Sequence, residues 1–138
     1  MYSIFDGGPQ QMSEKFNQLV QTIATLRGPN GCPWDKKQTH QTLITCLKNE
    51  SQELIEAIEK QDDENMKEEL GDVLLQVLMQ AQIAQEEGKF SIEDVMEYLD
   101  HKLHYRHPHV FGGHPQAKTP EEALALWKEM KRKSREGK

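Results

Sequence analysis

The chain has 138 residues, of which 36% are hydrophobic and 29% charged, and a formal net charge of −6. That length suits one domain with a thin core, and the acidic balance excludes polyanion binding as the main task, so no nucleic acid polymer is expected as a partner. No stretch approaches the roughly 20 apolar residues of a membrane span, the first eleven residues lack the features of a signal peptide, and Cys32 and Cys46 are too few and too far apart for a zinc site of the C-x-x-C kind; a reducing cytoplasm suits them.

Met1 to Gln11, with Gly7, Gly8 and Pro9, reads as a flexible leader. Ser13 is placed to cap a first helix whose Phe16, Leu19, Val20, Ile23 and Leu26 recur at helical spacing. Gly28, Pro29, Gly31 and Pro33 then force a loop. Within it, Trp34, Lys36 and Lys37 offer an aromatic face and ammonium groups to a base and phosphates. On the local sequence alone, Trp34 can equally plug the core beside the proline turn. Thr39 opens a long second helix to about Lys60, and Gln61-Asp62-Asp63 breaks it. A third helix runs from about Asp63 to Glu87 and is closed by Gly88. Ser91 with Asp94 resembles a capping box for a fourth helix through about Tyr105. His107 to Pro115 reads as loop. Thr119-Pro120-Glu121-Glu122 starts the last helix, with a cap residue, proline at the first position and acids in the first turn; Leu124, Trp127 and Met130 follow. No segment alternates with period two, so the expected fold is an all-α bundle of about five helices. It forms a single domain over residues 12–133, with a basic tail at 134–138 whose charges suit a solvated helix end.

Two acidic pairs interrupt the apolar pattern, Glu50-x-x-Glu53 and Glu69-x-x-Asp72. Spacing of three puts both carboxylates of a pair on one helix face, about one turn apart. Glu50 falls on the stripe of Leu43, Leu47, Leu54 and Ile58, while Glu69 and Asp72 edge the stripe of Met66, Leu70, Val73, Leu74, Val77 and Leu78. Four carboxylates turned toward a helix–helix interface repel one another and are costly to desolvate. A hard divalent cation offsets both, so Mg²⁺, with Mn²⁺ as a substitute, is the expected cofactor. Glu56, Glu59, Glu64 and Glu68 are read as solvated charge instead. Five of the six histidines, His101, His104, His107, His109 and His114, fall in one segment. Such runs can bind transition metals, but these straddle a helix end and a loop, and one tetrahedral site is not the expected outcome. Lys102, Arg106 and His107 suit both a helix C-terminus and phosphate binding. Trp127 and Lys131 lie one turn apart, with packing the default role for Trp127. No P-loop, G-x-G-x-x-G or nucleophile elbow is present.

Together these residues resemble the MazG-type nucleoside triphosphate pyrophosphohydrolases, relatives of the all-α dimeric dUTPases. The likeness runs from about Leu26 to Lys131. It includes Gly31-Cys32-Pro33-Trp34-Asp35, Glu50-x-x-Glu53, Glu69-Leu70-Gly71-Asp72, Ala84-Gln85-Glu86-Glu87-Gly88 and Arg106-His107-Pro108-His109-Val110-Phe111. The resemblance implies that Glu50, Glu53, Glu69 and Asp72 are metal ligands and that Lys102, Arg106, Trp127 and Lys131 lie near the nucleotide. Asn49 stands where the family usually has the first Glu of its E-E-x-x-E motif, and Asn cannot act as a carboxylate base. Some family members carry two such domains, and regulation through a second one is not expected here.

The expected activity is Mg²⁺-dependent cleavage of a nucleoside triphosphate to monophosphate and pyrophosphate, with broad base choice and a role in clearing the nucleotide pool. Glu53, supported by Glu50, orients the water; Lys102, Arg106 and Lys131 hold phosphate; Trp127 or Trp34 stacks on the base, and Lys36 assists. A thin helical chain must bury its remaining apolar face, so a homodimer or homotetramer is expected. Two rival readings are a nucleotide- or metal-binding regulatory module without turnover, which Asn49 favours, and a helical dimerisation domain. In the latter, Glu50→Ala or Asp72→Ala would stabilise the fold.

Overall fold

A computed structural model describes residues 8–136, with side chains from residue 12 onward. Seven helices are present among the described residues and no strand: α1 (Gly8–Leu26), α2 (Pro33–Lys37), α3 (Ile44–Glu59), α4 (Asp63–Glu86), α5 (Ile92–Arg106), α6 (Pro108–Phe111) and α7 (Pro120–Glu136). The five long ones answer to the five read from periodicity. Chain packing separates two compact units, one running to Ile92 and the other starting at Glu93.

Several boundaries differ from the sequence reading. Of the leader expected over residues 1–11, residues 1–7 lie outside the described residues, while 8–11 open α1. Ser13 therefore sits inside α1 rather than capping it; Pro9 occupies the first turn, where its missing N–H costs no hydrogen bond. Regular helix α3 begins at Ile44, not Thr39. Thr39 instead closes a reciprocal pair one turn earlier: Thr42 N–H donates to Thr39 Oγ1 (3.2 Å) and Thr39 N–H to Thr42 Oγ1 (2.8 Å). Both segments read as loop contain a one-turn helix. Pro33 and Pro108 begin α2 and α6 with φ preset, and in α2 Asp35 precedes Lys36 and Lys37, as the helix dipole favours.

The first unit is built around α4, which packs on both α3 and α1. Ile23, Leu43, Leu78, Met79 and Ile83 form its core, with Phe16, Val20, Cys46 and Ile92 around them. The C-terminal ends of α3 and α4 are closed by the same device. After α3, Asp62 N–H reaches back to Ala57 O (3.2 Å) and Gln61 N–H to Ile58 O (3.1 Å), with Gln61 at φ +55°. After α4, Lys89 N–H reaches Ala84 O (2.9 Å) and Gly88 N–H reaches Gln85 O (3.0 Å), with Gly88 at φ +73°. Each is a Schellman closure, which needs a left-handed residue just past the helix. Asp62 then caps α4 by accepting from Asn65 N–H (3.2 Å). The resulting tight turn forces α3 and α4 to run side by side in opposite directions.

Much of the apolar stripe read on these helices faces outward. Leu47, Ile58, Leu70, Leu74 and Val77 are exposed, and Ile44, Ile55 and Leu75 join them. α4 is apolar on more than one side, and one chain covers only the side carrying Leu78, Met79, Ala81, Ile83 and Ala84. In the second unit, α5, α6 and α7 contain no buried residue. Thr119 Oγ1 accepts from Glu122 N–H (3.1 Å), the cap expected for the last helix. The basic tail begins within α7, and residues 137–138 lie outside the described residues. No described helix is long and apolar enough to cross a membrane.

The turn into α2 is tightly packed at Gly31, where an added Cβ would lie 2.1 Å from Leu26 O and 2.5 Å from Thr25 O. Both neighbours are backbone and cannot rotate away. Gly31→Ala is expected to cost roughly 1–3 kcal/mol, the range for forced overpacking, read as a lower melting temperature by calorimetry.

Candidate metal centre

The antiparallel hairpin of α3 and α4 brings the two acidic pairs together. One oxygen from each of Glu50, Glu53, Glu69 and Asp72 lies within 4.8 Å of the others. Glu69 is buried, Glu50 and Asp72 are half-buried, and Glu53 is exposed. Glu53 faces Glu69 across the hairpin and Glu50 one turn back, close enough to share a proton with a protonated neighbour. Burial pushes the Glu69 carboxyl up to about 7, helped by its hydrogen bond to Glu53 and by the charges of Glu53, Asp72 and Glu50. Burial likewise raises Glu50, with Glu53 and Asp72 adding repulsion. Glu50 Oε2 and Glu69 Oε2 are buried without a hydrogen-bond partner.

Buried carboxylate oxygens without donors are strongly disfavoured. These two, with two further carboxylates beside them, form an all-oxygen donor set that suits a hard divalent cation. Ligands on opposite sides of one Mg²⁺ are separated by about 4.2 Å, twice a bond of ~2.1 Å, so the observed spread is close to a single-ion cage. The four acids fit such a group. Glu56, Glu59, Glu64 and Glu68 are exposed, as read from the sequence.

Two neighbours complete this face. Asn49, beside Glu50, is exposed. Gln76, one turn past Asp72, is 6% exposed and its Oε1 has no partner. The sequence reading left Gln76 unremarked; the available signal was an amide inside the apolar run from Val73 to Leu78, at i+4 from Asp72.

Trp34 does not plug the core. It stands on α2 and is 56% exposed. Lys36 Nζ folds back to donate to Pro29 O at 3.2 Å. The remaining basic and aromatic candidates belong to the second unit. There Arg106 Cζ lies 5.3 Å and Lys131 Nζ 5.0 Å from the centre of the Trp127 ring, so two cations share one indole. Trp127 is half-buried, and Arg106 Nε is buried without a partner. Lys102 and Arg106 line a cleft of about 300 Å³ with Tyr98, His101, Tyr105 and Ser134. Two of the clustered histidines are turned onto their own helix: the Nδ1 atoms of His104 and His107 lie 2.8 and 2.7 Å from the carbonyls of Asp100 and Leu103 and donate to them.

The MazG nucleotide pyrophosphohydrolase domain family matches residues 38–111, which contain all four acids. A nucleoside triphosphate pyrophosphohydrolase/pyrophosphatase MazG of Thermotoga maritima is 53% identical over 124 residues, covering 88% of this chain and 49% of that protein. A nucleoside triphosphate pyrophosphohydrolase of Escherichia coli K12 is 41% identical over 122 residues, covering 88% and 46%. Among solved structures, a mazG-related protein from Thermotoga maritima superposes with a TM-score of 0.68 at 32% identity, covering 86% of this chain and 98% of that one. The chain spans about half the length of these two curated relatives. It belongs to the MazG nucleotide pyrophosphohydrolase domain family.

The raised Glu69 carboxyl has a measurable sign. Its folded form binds a proton more tightly than the unfolded chain, whose value is 4.5. The contribution to stability is therefore full below pH 4.5 and is lost as pH climbs through about 7. Melting in EDTA is expected to weaken over that window, and Glu69→Gln to flatten the slope. A divalent cation added at pH 7 should raise the melting temperature of the wild type but not of Glu69→Gln.

Proposed function

We propose that this chain is a Mg²⁺-dependent nucleoside triphosphate pyrophosphohydrolase, converting an NTP or dNTP and water to the monophosphate and pyrophosphate. The observation that carries the reading is the convergence of four carboxylates, two with buried unpartnered oxygens, in a chain of the MazG family. Glu50, Glu53, Glu69 and Asp72 would hold the cation, with Mn²⁺ able to substitute. When bound, it would neutralise the triphosphate, polarise the α-phosphorus and acidify an attacking water.

The chain's own residues divide the remaining work. Glu53 is the most exposed of the four acids and lies beside Glu69 and Glu50, which supports its role in orienting the water, with Glu50 behind it. Lys102, Arg106 and Lys131 supply positive charge for the phosphates, and Lys36, whose Nζ donates to Pro29 O, is a further ammonium for them. Trp34 or Trp127 offers a face for the base; stacking tolerates any base, so base choice is broad and the role is clearance of the nucleotide pool. The exposed apolar residues on α3 and α4 support assembly as a homodimer or homotetramer. A cytoplasmic location agrees with two free cysteines.

Asn49 favours a second reading, a regulatory module that binds metal and nucleotide without turnover. Product analysis separates the two. Purified protein in millimolar MgCl₂ with a panel of canonical and damaged NTPs and dNTPs should yield monophosphate and pyrophosphate. That yield should vanish in EDTA and fall by roughly 10²-fold or more in Glu53→Ala. Diphosphate plus phosphate would sink the assigned split. Mg²⁺-dependent binding with no product, and turnover gained in Asn49→Glu, would establish the regulatory module.

A further inference from the structure

Helix α2 is held far more firmly than its packing requires. It contains no buried residue, and its largest side chain, Trp34, points 56% of its surface to solvent. Yet Arg27, whose side chain is 8% exposed, spends its guanidinium on this element. Nη1 donates to Asp35 O (2.6 Å), which also accepts from Gln38 N–H (3.3 Å), and to Gln38 O (3.0 Å) at the C-cap, so one guanidinium nitrogen grips the end of α2 at two carbonyls. Nε and Nη2 donate to the two carboxylate oxygens of Glu86 at the end of α4 (3.0 and 2.9 Å). Glu86 is held below the ordinary carboxylate range mainly by that hydrogen bond. Gln38, itself buried, donates from Nε2 to Trp34 O (2.8 Å) and accepts from Thr42 Oγ1 (2.8 Å). The Trp34 backbone is thus tied through Gln38 to the turn before α3, and α2 as a whole is tied through Arg27 to α4.

We infer that Arg27 is a positioning residue, clamping α2 so that Trp34 stands as a preorganised platform for the base of the nucleotide. The inference rests on the reading of Trp34 as a base-stacking residue. Hydrogen bonds invested in an element that buries nothing do not serve the core; they fix in advance an exposed ring that would otherwise be ordered only on binding. Lysine cannot replace the clamp, because its point charge lacks the planar fork that meets a carboxylate and two carbonyls at once.

The test uses Arg27→Lys and, should that variant not fold, Glu86→Gln, which removes the anchor and leaves Arg27 in place. Two readouts are taken: KM and kcat for a nucleoside triphosphate, and inhibition by inorganic tripolyphosphate, which carries the phosphates without a base. Acrylamide quenching in a Trp127→Phe background reports Trp34 alone. Either clamp variant should raise KM roughly three- to tenfold, the scale of ordering one or two side chains, with kcat and tripolyphosphate inhibition unchanged and Trp34 more easily quenched. Unchanged KM and quenching would overturn the inference, as would an equal loss of tripolyphosphate affinity, which would mean general damage. Trp34→Ala separates the two layers. Raised KM in Trp34→Ala but not in the clamp variants overturns the clamp alone. Unchanged KM in Trp34→Ala overturns the base-stacking reading and the clamp with it.

Discussion

Like charge gathered at a helix–helix seam is the constraint on which the rest depends. Glu50 and Glu69 bring carboxylate oxygens out of water with no donor to meet them, and Glu53 and Asp72 add repulsion from beside. No arrangement of apolar neighbours relieves that cost. What holds the acids in place is the hairpin: a Schellman closure on Gln61, the Asp62 cap, and a core layer of Leu43 with Leu78 and Met79 at the far end. Ala57, fully buried on α3 at the end nearer the turn, lets the two helices approach closely. Stability is thus concentrated at both ends of the seam, and the middle is left for chemistry.

Two guanidinium clusters among the described residues show how burial decides which ion pairs matter. Arg132 meets Glu129 and Glu136 at 2.6 Å, but its side chain is 53% exposed. Pairs of that kind on a helix surface contribute little and fade with salt. Arg27 makes contacts of 2.6–3.0 Å at 8% exposure, two of them to part-buried carbonyls. Distance does not separate the two clusters; burial does.

The long helices and the acidic centre were legible because both are local patterns. Apolar residues at helical spacing, Gly88 after the third long helix and Thr119-Pro120 before the last are short-range signals, and the spacing of three in each acidic pair sets its face. Other features were not local. Ser13 looked like a cap because the preceding Gly-Gly-Pro suggested a break, whereas Pro9 is at ease in a first turn. Helices α2 and α6 are too short to show a period. Leu70, Leu74 and Val77 follow a helical stripe as well as Leu78 does, and periodicity cannot say which of two apolar faces a single chain covers. Arg27 and Glu86 are 59 residues apart, and nothing in either's neighbours points to the other.

Because no side chain of α2 enters the core, residues 33–37 are insulated from the packing that supports the acids. Under the proposed function, the surface offered to a base can change while the four acids stay as they are, and selectivity and hydrolytic power become separately heritable traits, free to diverge at different rates along a lineage.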